Sequence, residues 1–235
     1  MADAIIPAPK HSTPSRSRDI SELAISYGLI LLVIWTPRPE QRWFYITAAA
    51  DIVIILFRSF RTPQQMGLRT TNFVRSSWII GVALLLSVIA IALAAWQHTL
   101  LPFEGPSAFL RRYWGYALWS FAQQILLQDF FLQRLRRLLP TNTAAVLASA
   151  GIFALAHLPN PILTIVTLIM GLAACTLFLR YRNLYPLSIA HAILGITLAI
   201  TVPGPVIRNM RVGLGYLTYP HHHLHYRNHS SVKTP

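Results

Sequence analysis

The chain is poor in charge, and poorest in acid. Only 11% of its 235 residues are charged, and seven Asp and Glu stand against 20 Lys and Arg. A soluble globular domain carries about 25% charged residues, so the deficit points to lipid as the solvent for much of the chain. Cysteine is nearly absent: Cys175 is the single one, so no intrachain disulfide can form. Its place within an apolar run reads as a small packing residue. No secretory signal peptide is legible, and no internal repeat with matched broken helices of the transporter kind. The net charge of +13 raises nucleic acid as a partner, but the basic residues form no stripe. They sit between apolar runs, as cationic loops do beside anionic lipid headgroups. Nucleic-acid binding is rejected on that ground.

Hydrophobic residues make up 54% of the chain. They fall into seven runs, enough for about seven spans of roughly 20 residues. The runs are Leu23 to Trp35, Trp43 to Phe57, Trp78 to Trp96, Tyr113 to Leu139, Ala144 to His157, Ile162 to Leu179 and Leu187 to Val202. The third is the cleanest, uncharged with a Trp at each end, where interfacial aromatics belong. The fifth is broken by His-Leu-Pro-Asn-Pro, because Pro159 and Pro161 cannot continue a helix. The expected fold is an all-α polytopic bundle of about seven transmembrane helices. Residues 1–20 read as a disordered basic tail, 21–109 as N-terminal transmembrane helices, 110–203 as a core, and 204–235 as a C-terminal tail. Lys and Arg placement favours a cytoplasmic N-terminus in a cell membrane. An interfacial eighth segment around 204–218 would return the tail to the same side. Within that tail, Gly-Leu-Gly at 213–215 lacks a preceding strand and carries no nucleotide reading. His221 to His225 reads as an exposed tail with adventitious metal affinity.

Ionisable groups inside a bilayer cost several kcal/mol and are functional candidates by default. Of the seven acids, only Asp51 and Asp129 fall inside apolar runs; His157 and His191 lie in or at the end of runs, and Arg134 follows Asp129. Asp51 reads as a structural residue. Asp129 and Arg134, at i,i+5, stand about 140° apart around a helix, so different partners suit them better than each other. Gln124 and Gln128, at i,i+4, read as interhelical hydrogen-bonding residues. The fourth, fifth and seventh runs thus carry one acid, one arginine and two imidazoles. A carboxylate with two imidazoles can activate water and stabilise an oxyanion. The same set is compatible with a divalent metal such as zinc, water being the remaining ligand, or with no metal at all.

The order and spacing resemble the CPBP family, the CaaX-prenyl-protease-2 and bacteriocin-processing (Abi) group of intramembrane proteases. That family carries EExxxR on one helix, FxxxH on the next, and HxxxN or HxxxD on a later one. Gln128-Asp129-Phe130-Phe131-Leu132-Gln133-Arg134 looks like the first, Phe153-Ala154-Leu155-Ala156-His157 matches the second, and His191 to Gly195 looks like the third. In the register that keeps Arg134, Asp129 replaces the first Glu and Phe130 the second; Gly195 replaces the Asn or Asp. The resemblance implies Asp129 as general base helped by His157, His191 as oxyanion stabiliser, and Arg134 as the group that orients the acid. The substrate it implies is a membrane-anchored protein or peptide, met among membrane lipid. Two rival expectations stand beside hydrolysis: a non-catalytic membrane scaffold or immunity-type relative, and a transporter or proton relay built on Asp51, Asp129 and the histidines.

Overall fold

A computed structural model describes residues 15–58 and 62–219. The histidine-rich stretch 221–225 and most of the N-terminal tail lie outside the described residues. Every described element is helical. Helix α1 (Arg16–Trp35) starts at Ser15, whose hydroxyl accepts from Arg18 N, and stops before Pro37. Helix α2 is Gln41–Arg58. The short α3 (Phe73–Ser76) runs into α4 (Trp78–Trp96), and α5 (Pro106–Ile125) opens with Pro at its first turn after Gly105 at φ +97°. The α5 helix continues as a π-helical stretch, Leu126–Leu132, and then as α6 (Gln133–Leu138). Helices α7 (Asn142–Leu155), α8 (Pro161–Tyr181) and α9 (Leu184–Thr201) are each capped by a side chain, from Thr141, Asn160 and Asn183 respectively. The short α10 (Gly204–Ile207) and α11 (Gly213–Leu217) close the described chain.

Each of the seven apolar runs falls on helix apart from a residue or two at the ends of the fourth, fifth and seventh; the fourth covers α5, the π stretch and α6 in succession, and the third coincides with α4 residue for residue. Among the described residues three stretches, Phe73–Trp96, Pro161–Tyr181 and Leu184–Thr201, are long and apolar enough to cross a bilayer. Helix α7 is apolar but short. Helices α1 and α2 reach span length but carry ionic residues, Arg18, Asp19 and Glu22 in one and Arg42, Asp51 and Arg58 in the other. The several apolar helices mark a multi-pass membrane protein.

Packing follows the rule for helices in lipid, where small residues meet and large ones face outward. Helix α4 buries Ile79, Ala83, Ser87 and Ala94 against α9 and exposes Leu84, Leu85, Val88 and Ile89. Thr197 on α9 donates to Ser87 (2.8 Å) across that interface. Gly171 on α8 lies against Ala150 on α7, where a methyl would be 3.2 Å from the neighbouring backbone. Cys175 and Phe178 on α8, Leu184 on α9 and Leu127 on the π turn fill the shared core.

Helix α1 is attached by ions. Arg137 on α6 grips Asp19 through two bonds (2.6 and 2.7 Å), and Arg134 grips Glu22 through two more (2.7 and 2.9 Å). Arg18 reaches Glu22 as well (2.8 Å). Asp19 and Arg134 are each only 2% exposed, so each pair has one buried member, while the Arg137 side chain stays partly open to its surroundings. Asp51 on α2 accepts from Ser26 on α1, which joins the first two helices. The segment after α9 folds back: Gly213 N donates to Leu158 O (2.8 Å), and Asn160 Nδ2 donates to Ile207 O and Arg211 O (2.9 and 3.1 Å). Gly213, at φ +52°, lies so near Ile34 of α1 that no side chain fits there.

Candidate functional site

The helices border a half-open cavity of about 1270 Å³, walled mainly by apolar side chains of α1, α2, α4, α5, α7, α8 and α9. That exceeds the roughly 300–1,000 Å³ of an ordinary small-ligand pocket. Its walls also carry polar groups, and four of them, Gln123 and Gln124 from α5, His157 from the turn after α7 and His191 from the middle of α9, mark what we call its polar pole. Phe153 packs between the two imidazoles, edge-on to both, with centroids 5.0 Å from His157 and 6.2 Å from His191. The FxxxH spacing therefore has a local cause, since residues four apart share a helix face.

Hydrogen bonds assign the tautomers. His157 Nδ1 donates to Phe153 O (2.7 Å); a carbonyl only accepts, so the neutral ring keeps its proton on Nδ1 and Nε2 is an acceptor. Gln128 Nε2 donates to Gln124 Oε1 (3.2 Å), and Gln124 Nε2 donates to His191 Nδ1 (3.1 Å). His191 Nδ1 is then the acceptor and Nε2–H the donor. The pole thus offers one imidazole acceptor and one imidazole donor, the complement of a peptide group's N–H and C=O.

Of the residues singled out in the sequence, the structure brings His157 and His191 to this cavity. Asp129 and Arg134 are not among its walls. Asp129 is half-buried on the π turn, directly after Gln128. Arg134 lies over the Phe130 ring (4.1 Å), donates to Phe130 O (3.2 Å) and holds Glu22. No Asp or Glu lines the cavity among the described residues. Nor do the described residues hold a cluster of three or more His, Cys, Asp and Glu side chains placed to bind a metal. Zinc sites take three or four such ligands, so the donors at this pole do not fit that group.

Sequence reasoning read Gln124 and Gln128 only as interhelical bonding residues, and Gln123 went unweighed. The overlooked signal was spacing. Gln123-Gln124-Ile125-Leu126-Leu127-Gln128 carries an amide at each of the three positions that EExxxR gives to two acids and an arginine. Residues 114–197, roughly a third of the chain, match the family model described as type II CAAX prenyl endopeptidase Rce1-like. No curated protein and no solved structure significantly matches the chain.

Proposed function

From the membership of residues 114–197 in the Rce1-like family, we propose that this chain is a multi-pass membrane protein that binds the lipidated end of a membrane-anchored protein or peptide and holds it without efficient hydrolysis. The cavity takes the apolar anchor, and its polar pole takes a peptide group. The bound carbonyl accepts from His191 Nε2–H, and the amide N–H faces His157 Nε2. The observation that carries this reading is the Gln124 amide on His191 Nδ1 at 3.1 Å. An amide has no basic lone pair to offer at neutral pH, so Gln124 supplies no base for water activation, and in this reading the remaining acceptor, His157 Nε2, is engaged by the peptide N–H. Residues 110–203 serve as the binding core, and 21–109 complete its wall. Seven spans with a cytoplasmic N-terminus agree with the run pattern and place the Arg134 and Arg137 ion pairs near the cytoplasmic face.

The test is binding and turnover together. The full chain in nanodiscs is mixed with a fluorescent farnesylated peptide, affinity is read by anisotropy, and products are read by mass spectrometry. Saturable binding with no product is expected, and binding weakened by His191→Ala. A second reading, hydrolysis with Asp129 as base, is favoured by that residue's place on the π turn beside Gln128. Product formation by the native chain that Asp129→Ala abolishes would establish it and overturn the first.

A further inference from the structure

One more polar group faces the cavity pole. Tyr116 lies on α5 two turns before Gln124 and lines the cavity. Its ring meets the His191 ring edge-on, with centroids 6.4 Å apart and planes at 82°. Gly195 follows His191 by one turn on the same face of α9, and a methyl placed on it would overlap the Tyr116 hydroxyl. The phenol is therefore seated against the α9 backbone within a turn of the imidazole. Ser120, one turn further along α5, commits its own proton to the Tyr116 main-chain oxygen (2.9 Å). A phenolic O–H both donates and accepts, and this one is delivered to the pole from the opposite helix.

We propose that the Tyr116 hydroxyl donates to the same bound carbonyl as His191 Nε2–H, so that two donors, one from α5 and one from α9, cradle a single oxygen. This deepens the reading of the cavity as a site for a lipidated peptide and rests on it. The absence of a side chain at Gly195 is what admits the phenol, so the two positions form one device. Paired donors fixed in a water-poor site are a strong way to hold a carbonyl oxygen.

The experiment uses the full chain in nanodiscs and two farnesylated peptides. One is unmodified; in the other, the carbonyl of the lipidated cysteine is replaced by a methylene. Tyr116→Phe keeps the ring and removes only the donor. It is expected to weaken the unmodified peptide about 3- to 10-fold and to leave the methylene peptide unchanged. Unchanged affinity for the unmodified peptide overturns the proposal while leaving the lipidated-peptide reading in place. Equal weakening of both peptides assigns Tyr116 to packing and overturns it too. A native chain that binds neither peptide overturns both the proposal and the reading. Thermal unfolding supplies a measurement free of any ligand: Gly195→Ala should lower Tm in the native background and not in Tyr116→Ala. An equal loss in both would place the phenol elsewhere and overturn the proposal.

Discussion

Replacing Gln124 with Glu exchanges an amide for a carboxylate on a side chain of the same length, at the atom that touches His191. The carboxylate keeps the bond from Gln128 Nε2 and accepts from His191 Nδ1, which becomes a donor; the imidazole then carries both protons and keeps its Nε2–H toward the cavity. Two opposite charges about 4 Å apart attract by roughly 4 kcal/mol at an effective dielectric of 20. Removing both from water costs several kcal/mol per ion. The balance is a stability loss of a few kcal/mol, visible as a lower Tm in detergent. The gain is chemical. A positioned general base is worth about 10²- to 10⁴-fold in rate, so Gln124→Glu should cleave the farnesylated peptide faster than the native chain by a factor in that range. Product mass, quantified against time in nanodiscs, is the assay, and adding His191→Ala to Gln124→Glu should remove the gain. A Gln124→Glu protein that is folded, binds the peptide and cleaves it no faster than the native chain would refute the assignment of Gln124 to the reacting position.

Three further substitutions probe the frame. Arg134→Ala strips one partner from a buried pair and should cost about 3–5 kcal/mol, read as a large drop in Tm. Asn160→Ala removes the α8 cap, about 0.5–2 kcal/mol, and also two bonds to the segment 207–211; protease nicking within 203–219 should quicken in step. Thr197→Val breaks the contact with Ser87 and should cost only about 0.6 kcal/mol, because an interhelical hydroxyl bond in a membrane has alternatives in the unfolded reference. A loss as large as that of Arg134→Ala would mean that the α4–α9 seam depends on that bond rather than on close packing.

The helices were legible in the sequence because hydropathy reports which segments leave water. The Trp pair at 78 and 96 even marked both ends of α4. His157 was legible as well: Phe153 and His157 share a helix face whatever the helix packs against. Azimuth along the fourth run was not. A π turn over Leu126–Leu132 shifts the phase of everything after it, and no local composition announces it. The register that kept Arg134 rested on retaining a carboxylate and an arginine together, yet that guanidinium is held by Glu22, 112 residues earlier. Glu22 lies at the start of an ordinary apolar helix, and nothing nearby in sequence links the two. Gln124 was read only as an interhelical hydrogen-bonding residue, and Gln123 not at all, for a different reason: weighing costly ionic groups passes over neutral amides, although an amide in the position of an acid is itself a signal.

The ion pairs that hold α1 have a consequence for biosynthesis. A ribosome adds about 5–20 residues per second, so the 118 residues between Asp19 and Arg137 take roughly 6–24 s. Through much of that interval α1, and later α2, are already made while the arginines that anchor α1 are not. Asp19 and Glu22 must wait at the membrane surface with water or lipid headgroups as company, and the first hairpin can join the bundle only when α6 emerges. Charge-reversing α1 alone should strand a hairpin that has inserted correctly, and swapping the charges on both helices should let it dock again.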